Sequence, residues 1–132
     1  MNRYIDIGVN LGNRRLLPQA DALIEAAASA GVIGQIVTAT SVGQSRLAQQ
    51  LCARHPARLR CTCGIHPHDA SEWNPDNHQA IAELAGQRFV VAIGETGLDY
   101  NRNFSPREQQ ITAFESQLEL AAELGLPVFL HQ

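Results

Sequence analysis

Several titratable side chains of this sequence come directly after short apolar runs. His66, Glu95 and His131 each follow such a run, and Asp6 and Asn10 lie within or at the end of the first one. The carboxyl ends of parallel strands meet at one edge of a sheet or barrel, and binding sites are built at that edge. A carboxylate and imidazoles that converge there favour a divalent-metal site or a general acid–base pair.

Each of these residues also has a purely structural interpretation. The Glu95 carboxylate, which follows five apolar residues and a glycine, is too costly to bury without a cation or hydrogen bonds. His66 and His131 would serve equally well as hydrogen-bonded polar groups. Asp6 is either a ligand or a buried acceptor that fixes the first strand. Arg102, in the loop after Glu95, is suited to clamp a phosphate, or it is an ordinary surface arginine.

Five strands are predicted from short apolar runs. They are Tyr4–Val9, Val32–Thr38, Leu59–Ile65, Phe89–Gly94 and a last strand that begins with Val128–Leu130. The fourth run is apolar throughout, which is typical of a parallel strand covered on both faces.

Four helices are predicted between these strands. They begin at about Pro18, Ser41, Asn74 and Ser105, and they end before Gly31, Pro56, Gly86 and Gly125. For the last helix, a Ser-Pro-x-Glu pattern predicts Ser105 as the N-cap of a capping box. The stripe of this helix predicted to be buried is Ile111, Phe114, Leu118, Ala121 and Ala122.

Strand and helix alternate with a period near thirty residues, which predicts right-handed βαβ units and a parallel sheet. A doubly wound sheet of five strands suits 132 residues, whereas a complete barrel of eight units needs about 250. A doubly wound sheet normally ends with a covering helix, and none follows His131. We therefore expect an α/β fold of the TIM-type (β/α) barrel, truncated after strand five, with residues 1–132 as the N-terminal half of one domain.

The composition is that of a soluble globular protein, with 45% hydrophobic and 17% charged residues. The sequence has neither a membrane-length apolar run nor a signal peptide, so we expect a cytoplasmic protein without membrane contact.

The net charge is −3 and all ten basic residues are arginine. If a nucleic acid is the substrate, a bound cation and local arginines must therefore supply the positive charge. The three cysteines are expected to be reduced core residues.

Four segments resemble successive blocks of the TatD family of metal-dependent deoxyribonucleases, in order and spacing, from end to end of the chain. They are residues 4–11 (YIDIGVNL), 64–69 (GIHPHD), 92–101 (AIGETGLDYN) and 127–131 (PVFLH). The Gly-Glu-Thr-Gly-Leu-Asp block is the most specific. The resemblance implies a TIM-type barrel of the amidohydrolase-like group. It also implies hydrolysis of phosphodiester bonds in DNA, single-stranded or at 3′ ends, with Mg²⁺ or a similar cation such as Mn²⁺ or Zn²⁺.

The resemblance also implies roles for particular residues. Glu95 matches the metal-bridging glutamate of the family, His131 matches a histidine ligand, and His66 matches a histidine that faces the substrate. We expect Glu95 and His66 to be catalytic, Asp6 to be a further metal ligand, and His66, Arg102 and Asn10 to bind substrate. Two more expected ligands, a histidine and an aspartate, lie beyond Gln132.

The first strand departs from the pattern of much of the family, Asp-x-His-x-His. Gly8 and Asn10 stand in the two histidine positions. The loss of two imidazoles should weaken the binding of zinc-like ions more than that of Mg²⁺, which prefers oxygen ligands and water.

Three alternatives remain open at this stage. The protein could be a metal-dependent hydrolase of a non-nucleic-acid substrate, a non-catalytic remnant or half-barrel partner, or a doubly wound nucleotide-binding domain. Against the last, no glycine-rich phosphate loop follows the first strand. For the chain by itself we expect little or no activity and a tendency to self-associate, because half a barrel exposes strand edges.

Overall fold

The computed structural model describes residues 1–132 and contains one sheet of five strands in the order β1-β2-β3-β4-β5. The strands are β1 (Tyr4–Val9), β2 (Val32–Val37), β3 (Leu59–Cys63), β4 (Val90–Gly97) and β5 (Val128–His131). All four neighbouring pairs are parallel. A strictly sequential order without a reversal is that of a (β/α) barrel sheet, whereas a doubly wound sheet changes direction at a switch point. The barrel-type fold is confirmed, and the doubly wound alternative was wrong.

Four α-helices connect the strands, as the sequence predicts. They are α1 (Ala20–Ser29), α2 (Val42–Arg54), α3 (Pro75–Ala85) and α4 (Arg107–Leu124), with additional 3-10 turns at Leu17–Gln19 and Pro67–Glu72. Side-chain caps begin two of them: Ser41 Oγ accepts from Gln44 N at 3.1 Å, and Asn74 Oδ1 accepts from Asn77 N at 2.8 Å. These helix starts follow from local chemistry, because each cap satisfies a backbone donor that the first turn leaves unpaired.

The predicted capping box at the start of α4 was wrong. The helix begins at Arg107, and the N-cap residue is Pro106, which makes no side-chain cap. The Ser105 hydroxyl is fully buried; it accepts from Ser71 N at 3.2 Å and donates to His68 O at 2.8 Å. It pairs backbone groups of the loop after β3 from a buried position, whereas the first turn of α4 is exposed and can be paired by solvent.

The predicted buried stripe of α4 was right at Ala121 and wrong at Ile111, Leu118 and Ala122, while Phe114 is half-buried. Ile111 and Leu118 are 39% and 38% exposed, respectively. The buried positions of this helix are Gln110, Ala113, Gln117, Leu120 and Ala121. Two glutamines thus face inward where apolar side chains were expected, because their amides bind buried loop backbone, as described below.

The hydrophobic core lies between the helices and the sheet. Its largest fully buried apolar residues are Leu11, Ile24, Leu51, Leu59, Ile65, Ile81 and Ile93. Cys52, Cys61 and Cys63 are buried and unpaired by disulfides, as predicted. Burial raises the pKa of the Cys63 thiol to about 12, so this thiol stays protonated at neutral pH. None of the helices has the length and apolar character that a membrane crossing requires.

Candidate metal centre at the strand ends

Glu95 is presented by an irregularity in the pairing of β4 with β5. Gly94 pairs with Phe129 and Thr96 with Leu130, so Glu95 is an extra residue between two paired positions. Such a bulge redirects a side chain out of the regular ladder. Gly94 has φ +143°, and a Cβ atom there would collide with the carbonyl oxygen of Phe129. Only glycine fits this position, which explains why a glycine precedes Glu95 in this motif.

The predicted residues Glu95, His131 and His66 do meet at one point. Glu95 Oε2 lies 2.7 Å from His131 Nδ1 and 3.5 Å from His66 Nε2. The side chains are 20%, 16% and 10% exposed, so bulk water screens them little. The interaction with His66 is the main cause that holds the pKa of the Glu95 carboxyl below its ordinary value; His131 acts in the same direction, and burial opposes both. Glu95 is therefore ionised at neutral pH, as a cation ligand must be.

The hydrogen bonds of His66 fix its tautomer. The backbone N–H of His68 donates to His66 Nδ1 at 3.0 Å. Because that backbone group can only donate, Nδ1 must accept, and the neutral ring carries its proton on Nε2. His66 Nε2 lies 3.1 Å from His131 Nδ1. His66 thus presents a proton to the site, and it can donate to an anion more readily than it can ligate a metal.

Two residues that the sequence analysis left out of the site lie at its centre, namely Asp99 and His68. Asp99 Oδ2 lies 2.8 Å from His68 Nε2 and 3.1 Å from His131 Nε2. Asp99 Oδ1 accepts from the backbone N–H of Arg102 at 2.9 Å. That backbone bond, followed by His68, holds the pKa of Asp99 well below its ordinary value. His131 consequently lies between two carboxylates, Glu95 at Nδ1 and Asp99 at Nε2.

A sequence signal for these two residues did exist. His68 and Asp99 belong to the same two motif blocks as His66 and Glu95. Each sits a few residues beyond the end of its strand, however, where the chain could turn in any direction. Only the 3-10 turn Pro67–Glu72 and the loop after β4 bring the two side chains together.

Arg102 lies beside the cluster and forms an ion pair with one of its residues, Asp99. Its Nη1 lies 3.2 Å from Asp99 Oδ2, and its side chain is 54% exposed. One side of the guanidinium is thus held by Asp99, while the rest remains open to solvent. Such an anchored fork is suited to bind an oxyanion.

The β1 residues are less closely integrated into the site. Asn10 and Gly8 line a pocket together with Glu95 and Phe129. Asp6 is exposed, and its Oδ1 accepts from the backbone N–H of Gly8 at 3.0 Å. The expectation of a buried acceptor at Asp6 was wrong, and Asp6 makes no polar contact with Glu95, His66 or His131.

The first of the two histidine positions on β1, position 8, is sterically crowded. A Cβ atom at Gly8 would lie 3.2 Å from Cζ of Phe129, a residue on β5. The Phe129 ring thus reaches across to β1 and fills the space into which a side chain at position 8 would extend. A larger residue at position 8 would therefore require the Phe129 ring to move.

Two buried glutamines of α4 position the loops that carry the site. Gln117 Oε1 accepts from Ile65 N at 2.8 Å, and Gln117 Nε2 donates to Ile65 O at 3.0 Å. Gln110 Oε1 accepts from Asp99 N at 2.8 Å, and Gln110 Nε2 donates to Asp99 O at 3.2 Å. The two glutamines are seven residues apart, which places them on one helix face. One of them thus holds the residue before His66, and the other holds Asp99 itself.

The donor set fits a divalent cation. Nitrogen atoms of His66, His68 and His131 lie within 4.8 Å of one another, so this cluster could hold a metal ion. Glu95 Oε2 adds an anionic oxygen beside His131. Ligand atoms about 2.0–2.2 Å from one ion lie about 3 Å from each other, which matches the spacing of Glu95 and His131. Because the His66 proton lies on Nε2, we consider Glu95 and His131 to be the better ligand pair.

Comparison with known proteins gives a consistent result. The sequence profile of the family described as "TatD related DNase" matches residues 5–132. Two curated relatives, from Erwinia billingiae and Escherichia fergusonii, are 48% and 50% identical over 126 residues and carry the name "3'-5' ssDNA/RNA exonuclease TatD". The matches cover 96% of this chain and 48% of each relative, so the chain spans about half the length of the curated relatives it matches.

Solved structures show the same likeness. A hydrolase of the TatD family from Entamoeba histolytica superposes with a TM-score of 0.90 at 26% identity, and covers 99% of this chain and 50% of its own. A TatD homologue from Escherichia coli superposes with a TM-score of 0.89 at 29% identity, and covers 98% of this chain and 50% of its own.

Proposed function

We propose that the protein hydrolyses phosphodiester bonds in single-stranded DNA from the 3′ end. The premise is that this chain belongs to the TatD-related DNase family. The observation that carries the proposal is the Glu95–His131 pair, 2.7 Å apart, at the carboxyl edge of a barrel-type sheet. The names of the curated relatives support a nucleic-acid substrate and include RNA as well as DNA.

Glu95 and His131 would hold a divalent cation, and we favour Mg²⁺ because β1 supplies no histidine. A bound cation of this kind lowers the pKa of a water and offsets charge on the scissile phosphate. Asp6 as a further ligand stays a prediction, since its carboxylate is exposed and bonds only to its own strand.

The remaining residues of the site would orient the substrate. His66 Nε2–H would donate to a phosphate oxygen, because its tautomer is set by the His68 backbone. The open side of the Arg102 guanidinium would bind the same or the next phosphate. Asn10, exposed in the pocket shared with Glu95, would donate its amide to the substrate. Asp99 would hold His131 and His68 in orientation through their Nε2 atoms.

The test is an exonuclease assay on the gene product at its natural length, with 5′-labelled single-stranded DNA and RNA in Mg²⁺. Glu95→Gln keeps the shape and removes the charge, and it should lower kcat/KM at least ~100-fold, because several kcal/mol of charge stabilisation are lost. Glu119→Gln, at an exposed position of α4, is the matched control and should leave activity unchanged. Full activity of Glu95→Gln would overturn the proposal, and so would activity on small phosphoesters but on neither nucleic acid.

We further propose that residues 1–132 supply the first four β/α units and the fifth strand of a single barrel domain, which is the part of the relatives that they match. By themselves these residues should show little or no activity, since the ligand set expected for the family is incomplete within them. The free edges of β1 and β5 should also promote self-association. Sedimentation of residues 1–132 tests the last point, and a strict monomer at high concentration would contradict it.

A further inference from the structure

Phe104 is a large aromatic side chain exposed beside the metal centre. Its residue surface is 70% exposed, and its ring centroid lies 4.7 Å from that of His68, at an interplanar angle of 79°. We propose that Phe104 is the platform on which a base of the single-stranded nucleic acid stacks next to the scissile phosphate. This inference rests on the proposed function, and it names a subsite that the metal centre does not include.

The backbone around Phe104 is anchored, so the ring is held outward. The next residue, Ser105, is fully buried, and its carbonyl accepts from Gln110 Nε2 at 2.8 Å. The Ser105 hydroxyl joins the loop to His68 O and Ser71 N. On the other side, Asn103 N donates to Asp99 O at 3.2 Å. A fixed aromatic platform loses little conformational entropy when a base stacks on it.

The position of the ring relative to the site suits one nucleotide step. A row of edge-to-face rings leads inward from Phe104: His68 lies 4.2 Å from His66, and His66 lies 4.4 Å from His131, between centroids. Phe104 is therefore one ring away from His66, whose Nε2–H points into the site. A phosphate at His66 would leave the neighbouring base within reach of Phe104.

Arg102 completes the expected pattern of a single-strand site. Its half-exposed guanidinium is held beside the same loop by Asp99. Proteins that bind single strands without reading sequence combine cations along the backbone with aromatic faces on which bases stack. Arg102 and Phe104 supply one of each, which agrees with a substrate that is single-stranded and read without base specificity.

Exposure alone would not support this inference, because isolated exposed apolar residues are common. Other exposed apolar side chains, such as Tyr4 and Ile5, lie at the start of β1, at the opposite end of the sheet from the metal centre. Phe104 differs from them because its ring contacts a histidine of the site.

The experiment measures equilibrium binding of fluorescein-labelled oligothymidine by anisotropy, in Ca²⁺ to limit cleavage, with the gene product at its natural length. An otherwise identical oligonucleotide with abasic 3′ nucleotides is the second probe. Phe104→Leu keeps apolar bulk but removes the aromatic face. It should weaken binding of oligothymidine about 5- to 150-fold, the range for one stacked base, and should leave abasic binding unchanged. Tyr4→Leu is the matched control and should change neither affinity.

The outcomes separate the two proposals. If the wild type binds neither probe, the proposed function fails. If the wild type prefers oligothymidine and Phe104→Leu keeps that preference, the stacking subsite is wrong while the function stands. If Phe104→Leu does not fold, Phe104→Trp decides: its emission should be quenched by oligothymidine, beyond any change in the wild-type Trp73 signal, and not by the abasic probe. Equal quenching by both probes would overturn the subsite.

Discussion

Strands β1 and β4 carry predicted site residues of the same chemical kind, yet the structure treats them very differently. Every residue of β1 is at least partly exposed, whereas six of the eight residues of β4 are buried. The Asp6 carboxylate of β1 bonds only to its own strand. The Glu95 carboxylate of β4 meets His131 of β5 and lies near His66 after β3.

The difference follows from what surrounds each strand. β4 pairs with β3 and β5 and is covered by α3 and α4, while β1 pairs only with β2. A polar side chain at a strand end acquires a fixed position when neighbouring strands and a helix fix its backbone. The bulge at Glu95 and the glutamines of α4 provide this on the β3–β5 side of the molecule, and β1 has no counterpart.

The largest expected contrast is in stability. Ile93→Ala in β4 removes a fully buried side chain and should lower the free energy of unfolding by about 2–5 kcal/mol. Ile7→Ala in β1 removes one that is 66% exposed and should change it by about 0.5 kcal/mol or less. Urea denaturation of both variants, each made in residues 1–132, measures this. Similar losses for the two would mean that β1 is buried in solution, for example by self-association.

A second contrast concerns the helix that positions the loops. Gln117→Leu leaves the N–H and C=O of Ile65 without partners and should cost about 1–3 kcal/mol of stability. It should also shift the NMR signals of the His66 ring, because the residue before His66 is released. Gln109→Leu, at an exposed position of α4, is the matched control. Unshifted His66 signals in Gln117→Leu would show that Gln117 does not position the site.

A third contrast is in cation binding. Mn²⁺ titration by calorimetry should show binding weakened by at least about 10- to 100-fold for Glu95→Gln, because loss of a direct ligand should cost no less than loss of a residue that supports one. Asp6→Asn should have a smaller effect, because the Asp6 carboxylate is exposed and makes only a local bond. An equal or larger loss of Mn²⁺ affinity for Asp6→Asn would show that Asp6 of β1 contributes to the metal site as much as Glu95 of β4 does.

The smallest expected effect concerns the reactivity of cysteine thiols toward an alkylating reagent. The Cys63 thiol is fully buried in β3, and its pKa is raised to about 12, so iodoacetamide should not modify it in the native protein at pH 8. A cysteine introduced into residues 1–132 by Ile7→Cys should react readily, because position 7 is exposed there. Mass spectrometry with and without urea measures both. Modification of Cys63 without urea would indicate that the core opens between β3 and its covering helices.

Much of the fold could be predicted from local patterns. The order of strands and helices follows from apolar periodicity, and the caps at Ser41 and Asn74 follow from residue type and spacing. Two predictions for α4, its capping box and its buried stripe, failed because Ser105 and Gln117 bond to the loop after β3, and Gln110 bonds to the loop before the helix. Nothing in the local pattern of α4 indicates that those loops need partners.

The sequence by itself determined that Glu95 and His131 end neighbouring strands, because strand periodicity and parallel connection place their ends at one edge. The tertiary structure alone decided the proton position of His66, the place of Asp99 between His68 and His131, and the inward glutamines of α4. The bonds of Asp99 to His68 and His131 join groups far apart in the chain, whereas the bond that sets the His66 proton lies within the loop after β3. Their partners are selected by burial, since a buried polar group must find whichever donor or acceptor the fold brings within reach.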